Sequence, residues 1–275
     1  MAGIAVLTAI LLQAAPVLVP AAPQQGDFVV VRIPDKQAAI VRVWYEGVSV
    51  PVAAATSGWE ATFGIDLAAK PGPREVTGVT VTQGKADAWK LAFDLKDAGF
   101  PVQELSLADD TKVHLSAKDA ARAEHERQDV LAVLHARTGR GWSGSFQHPL
   151  DAKPEGGRFG SRRVINHEPR NPHTGADYGV KAGTPVHATN AGTVVLTANH
   201  FFSGNSIFID HGDGLFSEYF HLEKSFVTLG QKVKKGDIIG LVGATGRASG
   251  PHLHFGINYR GARVNPASLL SQQLE

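Results

Sequence analysis

Ser249-Gly250-Pro251-His252-Leu253-His254-Phe255 is the stretch on which the reading of this 275-residue chain turns. After the Gly-Pro turn the residues alternate as in a β-strand, where side chains two apart share a face, so His252 and His254 are expected side by side. Two imidazoles on one face are poor core material unless something binds them. Two upstream segments offer partners: His173-Thr174-Gly175-Ala176-Asp177 and Glu218-Tyr219-Phe220-His221-Leu222. Imidazole and carboxylate suit Zn²⁺, and three protein ligands with an open fourth position make a catalytic zinc site. His173, Asp177 and one histidine of the His252/His254 pair supply that number. The other histidine of the pair and His221 are then candidates for proton transfer and for holding a developing oxyanion. The helical pattern His-Glu-x-x-His is absent, since His125-Glu126 and His167-Glu168 are each followed by the wrong residues.

Composition narrows the chemistry further. The chain has no cysteine, which excludes disulfides, thiolate zinc sites, iron-sulfur clusters and a cysteine nucleophile. Any metal must therefore be held by histidine and carboxylate, and 8 of the 12 histidines fall between His167 and His254. Lys plus Arg is 27 against 26 Asp plus Glu, so nothing in the charge asks for nucleic acid. Residues 139–261 hold 21 of the 30 glycines, interleaved with runs such as Gly192-Thr193-Val194-Val195-Leu196 and Ile238-Ile239-Gly240-Leu241-Val242. Short strands joined by glycine turns, with no long helical period, describe an antiparallel β domain.

In this order and at these separations the motifs resemble those of the lysostaphin-like zinc metallopeptidases, a group that includes LytM-type murein endopeptidases. The resemblance covers about Phe159 to Pro266. It takes in Phe159-Gly160 and Arg162, His173-x-Gly175-x-Asp177, Gly183-Thr184-Pro185-Val186, Ile209-Asp210-His211-Gly212, Tyr219-x-His221-Leu222, Val233-x-x-Gly236, Gly243-x-Thr245-Gly246 and Gly250 to Phe255. It implies one zinc ion per chain bound by His173, Asp177 and His254, with His221 and His252 as the catalytic histidines. It also implies hydrolysis of peptide bonds in the peptidoglycan cross-bridge or stem peptide of the bacterial cell wall. Two rivals accompany it: a non-catalytic peptidoglycan-binding activator of other wall hydrolases, and a zinc carboxypeptidase acting on the same peptides. The first lacks ligands that are intact here, and the second has a longer His-to-Asp gap. Phe220 is bulkier than the Ala or Gly common in relatives, and His167 stands where many have glycine.

The remainder of the chain carries no catalytic spacing. Residues 4–19 are almost unbroken apolar, followed by Ala21 and Ala22, as in a secretory signal that ends near residue 22. The run is short for a bilayer span and holds Pro16, so no stable transmembrane span is expected. Export to the periplasm or cell envelope follows. Residues 27–110 alternate in six short runs, Phe28–Ile33, Ile40–Tyr45, Trp59–Leu67, Val76–Thr82, Trp89–Leu95 and Val102–Leu107, predicting a small β-sandwich. This domain would cover the groove or bind a partner in the envelope. Ser116 and Asp119 resemble a capping box, and a connecting helix over 116–138 is predicted, docking through Val130, Leu131, Val133 and Leu134. The expected fold is therefore mainly β: a sandwich, a helix, and a zinc peptidase domain over 145–270. A fragment beginning near Ser145 is expected to hold its own core.

Overall fold

The computed structural model describes residues 15–105, 115–151, 158–165, 168–169 and 171–275. Most of the expected export signal, residues 1–14, lies outside the described residues, as do residues 106–114, His167 and Arg170. No helix among the described residues is long and apolar enough to cross a membrane.

The N-terminal part contains β1 (Val17–Val19), β2 (Phe28–Ile33), β3 (Ala38–Tyr45), β4 (Val48–Ser49), β5 (Val52–Ala55), β6 (Gly58–Gly64), β7 (Gly72–Thr82) and β8 (Lys85–Leu95). They form two four-stranded antiparallel sheets, in the orders β1-β2-β6-β5 and β4-β3-β7-β8. Val29, Val31, Ile33, Ala61 and Phe63 from one sheet meet Val43 and Val76 from the other. β1 lies inside the segment expected to be a signal, yet it is hydrogen-bonded to β2. The run from Val102 was expected as a further sandwich strand, and here the structure differs. Its described part, β9 (Val102–Leu105), pairs in parallel with β10 (Arg162–Ile165), which also carries β11 (Glu168–Pro169). The chain leaves the sandwich at Gly99, in the left-handed region, and Phe100 packs edge-on against Phe159, their ring centres 5.8 Å apart.

Helix α1 (Ala117–Leu134) starts at Ser116, whose Oγ accepts from the Asp119 N–H at 3.1 Å, and it ends four residues short of the expected limit. Its last turns press Val130, Val133 and Leu134 onto Phe208 and Phe216. Glu126 accepts from the Phe201 N–H at 2.7 Å and Arg122 donates to the Asn199 carbonyl at 3.0 Å. The helix thus pins the tip of the hairpin beneath it.

The C-terminal part contains β12 (Gly175–Tyr178), β13 (Pro185–His187), β14 (Gly192–His200), β15 (Gly204–Gly212), β16 (Leu215–Ser225), β17 (Lys232–Val233), β18 (Ile238–Val242), β19 (Leu253–Tyr259), β20 (Ala262–Val264) and α2 (Pro266–Leu270). All the strands join one antiparallel sheet, whose main path runs β12-β19-β16-β15-β14-β17. One face carries the core residues Tyr219, Leu253, Phe255, Ile257 and Tyr259.

That core is not confined to the C-terminal part. Phe28 and Val30 of β2 belong to it, whereas the intervening Val29 and Val31 belong to the sandwich core. Phe28 stacks on Tyr259 with ring centres 5.3 Å apart, and the Tyr259 hydroxyl lies 2.7 Å from Thr62 Oγ1. Arg263 grips Asp66 through two hydrogen bonds of 2.7 and 2.9 Å. The expectation that a fragment from Ser145 holds its own core is therefore revised, because such a fragment would bare the surface that Phe28 and Val30 cover. Phe28→Ala should lower the stability of both parts together, by about 3–5 kcal/mol, the cost of emptying a buried phenylalanine site. Urea unfolding followed by Trp fluorescence should show one transition displaced to lower urea. Two transitions, only the first of them moved, would contradict a shared core.

Candidate metal centre

Strand β12 pairs with β19 in a register that sets Asp177 directly opposite His254. Along β19, Leu253 and Phe255 enter the core, so His254 and the paired Asp177 emerge on the other face. His173, two residues before β12, is anchored by backbone hydrogen bonds with Ser161 and Gly160. The outcome is a triangle of donor atoms: His173 Nε2, Asp177 Oδ1 and His254 Nδ1, each 3.0 Å from the other two. Donors bound at about 2.0–2.1 Å to a tetrahedral zinc ion stand roughly 3.3 Å apart, so these three atoms need almost no movement to share one. Among the described residues this is the one cluster able to hold a metal ion.

The donor set has suitable chemistry as well as spacing. His173 Nδ1 lies 3.2 Å from the Arg158 carbonyl. Its proton is accepted there, and Nε2 keeps its lone pair for the cluster. Burial pushes the Asp177 carboxyl up, but the imidazoles of His173 and His254 beside it outweigh burial and hold the group well below the usual carboxylate range. Burial pushes His254 down, which favours the neutral imidazole a metal requires. Phe220 lies flat on the His254 ring, 5.2 Å between centres and 5° between planes. Gly175 makes the close approach of strand and ring feasible. A Cβ there would stand 2.4 Å from the Phe255 carbonyl oxygen and 2.7 Å from His254 Nε2.

His221 and His252 stand beside this triangle with ring centres 4.7 Å apart, and His221 is 6.2 Å from His254. His252 does not lie within β19; it forms a single bridge with Gly243 just before the strand. His221 sits at a bulge, with φ of +62°, a conformation that β-strand residues rarely take. Its N–H donates to the Ser203 carbonyl at 2.8 Å and its Nδ1 donates to the Thr245 carbonyl at 2.9 Å. His252 Nδ1 likewise donates to the Gly250 carbonyl at 2.9 Å. With Nδ1 as the donor, the lone pair of either ring in its neutral form lies on Nε2. Burial holds His221 down at about 4, so it is neutral at pH 7.

Two other histidines of the C-terminal part are held away from the triangle. His211 is fully buried between the Ala191 carbonyl at 2.7 Å and Ser217 Oγ at 2.8 Å, so both of its ring nitrogens are engaged. His187 reaches the Gly236 carbonyl at 2.9 Å. The supports of His221 were not foreseen: Thr245 Oγ1 donates to the Leu222 carbonyl at 2.8 Å and accepts from the Asn205 N–H at 2.9 Å. Gly243-x-Thr245-Gly246 was visible as a motif, but its service to a histidine 24 residues away was not.

Comparison with known proteins accords with this geometry. The model of peptidase family M23 matches residues 171–266. The chain is 34% identical over 203 residues to the peptidoglycan DD-endopeptidase ShyA of Vibrio cholerae, covering 66% of this chain and 47% of that one. It is 40% identical over 97 residues to the DD-carboxypeptidase/endopeptidase Mpg of Neisseria meningitidis, covering 35% of this chain and 22% of that one. It thus spans about half or less of these relatives' length. A crystal structure assigned to peptidase M23 from Pseudomonas aeruginosa superposes with a TM-score of 0.68 at 31% identity, covering 90% of this chain and 95% of the other.

Because Gly175 leaves the room that His254 occupies, Gly175→Ala should displace that ring and lower zinc affinity by on the order of 10- to 100-fold. Competition with a chromophoric chelator measures it, and unchanged affinity would show that the approach of β12 to His254 is not limiting.

Proposed function

The chain belongs to peptidase family M23, and from this premise we propose that it is a zinc-dependent endopeptidase cutting peptide bonds in bacterial peptidoglycan. One observation carries the proposal: three donor atoms 3.0 Å apart, with two further imidazoles, their rings 4.7 Å apart, lying against them. His173 Nε2, Asp177 Oδ1 and His254 Nδ1 would hold the zinc. When bound, it supplies a Lewis acid that polarises the peptide carbonyl and acidifies water to a pKa near 7.

The chain's own residues then divide the remaining work. Phe220, flat on the His254 ring, and the Arg158 carbonyl, at His173 Nδ1, fix the two imidazoles so that their donor atoms converge. His221 and His252 each give their Nδ1 proton to a backbone carbonyl, which leaves Nε2 free to accept a proton at the reacting centre and return it to the departing amine. The strained turn at His221, backed by Ser203 and Thr245, keeps that nitrogen in place without a search of rotamers. The substrate reading draws on the relatives named as DD-endopeptidases, and it brings with it an exported location in the periplasm or cell envelope. In this reading the sandwich of β1 to β8 and the helix α1 frame the peptidase domain over 145–270.

Replacing His173, Asp177 or His254 by Ala should abolish equimolar zinc, since each supplies one of three donors. His221→Ala and His252→Ala should keep the metal while kcat falls by roughly 10²- to 10⁴-fold, as for a lost general acid or base. Zinc content by elemental analysis and kcat on cross-linked muropeptides decide the matter. If His252→Ala loses the metal and His254→Ala keeps it, the roles of the two are reversed.

A further inference from the structure

Glu218 stands on the same sheet face as the donor triangle and takes no part in it. Across β16 and β19 it pairs with Gly256, which pairs in turn with Gly175 on β12. The next row along the sheet is Phe220, His254 and Asp177, so Glu218 lies one row from the metal centre. His252 precedes His254, just ahead of β19, whereas Gly256 follows it along the strand. The proton-handling pair and Glu218 therefore flank the triangle on opposite sides.

The surroundings of this carboxylate are unusual. Its neighbours on the same face are Phe208, Phe216 and Phe220, all members of the apolar cluster under α1. A Cβ on Gly256 would stand 3.1 Å from Glu218 Oε2, so the carboxylate leans over the bare strand at Gly256. Among the described residues it accepts no hydrogen bond and forms no ion pair, and its residue is half-buried. A carboxylate walled by aromatic rings is costly to maintain unless something charged or hydrogen-bonding meets it. Gly256, directly opposite on β19, sets no side chain of its own beside it.

We propose that Glu218 is a specificity-determining residue that receives a positively charged amino group carried by the substrate beside the bond to be cut. The inference rests on the endopeptidase reading and adds the class of substrate: a cross-linked peptide with a free primary amine near the cleavage point. An ammonium is a compact donor of charge-assisted hydrogen bonds, and an alkyl stem behind it would lie along Gly256 against Phe220. Burial pushes the Glu218 carboxyl up to about 7, in keeping with a group that has no counter-charge among the described residues. A role as the base that handles the reacting proton fits less well, because His221 and His252 sit on the other side of the triangle.

The test uses the full zinc-loaded chain and a purified cross-linked muropeptide dimer, intact or with its free amines N-acetylated. Acetylation should lower kcat/KM by roughly tenfold or more, the worth of a hydrogen bond to a charged group. Glu218→Gln should lower kcat/KM for the intact dimer by a similar factor, keep its zinc, and cut the two dimers alike. Equal kcat/KM for the two dimers with the unaltered protein overturns the inference, and that comparison stands even if the variant fails to fold. A variant that still prefers the intact dimer as strongly also overturns it, as does a preference abolished by methyl-esterifying the substrate carboxylates instead. Failure of the zinc-loaded protein to cut either dimer would instead remove the endopeptidase reading, and the inference with it.

Discussion

The register between β12 and β19 is the constraint on which the site depends. With Asp177 opposite His254, a carboxylate oxygen and an imidazole nitrogen are set 3.0 Å apart by backbone hydrogen bonding alone. A slip of one residue would turn the whole set to the other face of the sheet. Glycine at position 175 protects the register, because any side chain there would collide with the opposite strand and with the ring it must approach. Once that pair is fixed, His173 needs only its two backbone anchors to complete the triangle, and Phe220 needs only its place opposite His254 to cover the ring.

A second constraint sets the shape of the whole chain. Strand β2 is buried on both faces, with Val29 and Val31 turned to the sandwich and Phe28 and Val30 to the C-terminal sheet. The sandwich is therefore part of the packing that supports β19, through Tyr259, rather than a loosely tethered module. β9 extends the linkage by pairing with β10, close to the residues that anchor His173. On the opposite side, α1 holds the hairpin tip from which Ser203 and Asn205 reach the turn of His221. Both flanking pieces thus bear on the geometry of the centre.

Much of this was legible in the sequence, and the parts that were not share a cause. The His-x-His spacing, the glycine-bounded strands and the Ser116 cap are local signals, and they read correctly as a β domain with a helix before it. Phe28-Val29-Val30-Val31 was also legible, as a continuous apolar run of the sort that marks burial on two faces, but alternation across Phe28–Ile33 drew attention to one face only. Long-range pairing accounts for the rest. Val102–Leu105 has the composition of a sandwich strand and joins another sheet because Gly99 turns the chain away. His221 adopts its left-handed turn because Ser203 and Thr245 hold it, and neither is near in sequence. Glu218 escaped notice because its meaning depends on which glycine faces it across β19.

Digestion of purified peptidoglycan by the intact chain, with the products identified by mass spectrometry, tests the account most directly. It predicts that cross-linked dimers are converted to monomers by cleavage of an internal peptide bond, that chelation stops the conversion, and that added zinc restores it. Release of terminal amino acids with the dimers left whole, or conversion that survives complete removal of zinc, would contradict it.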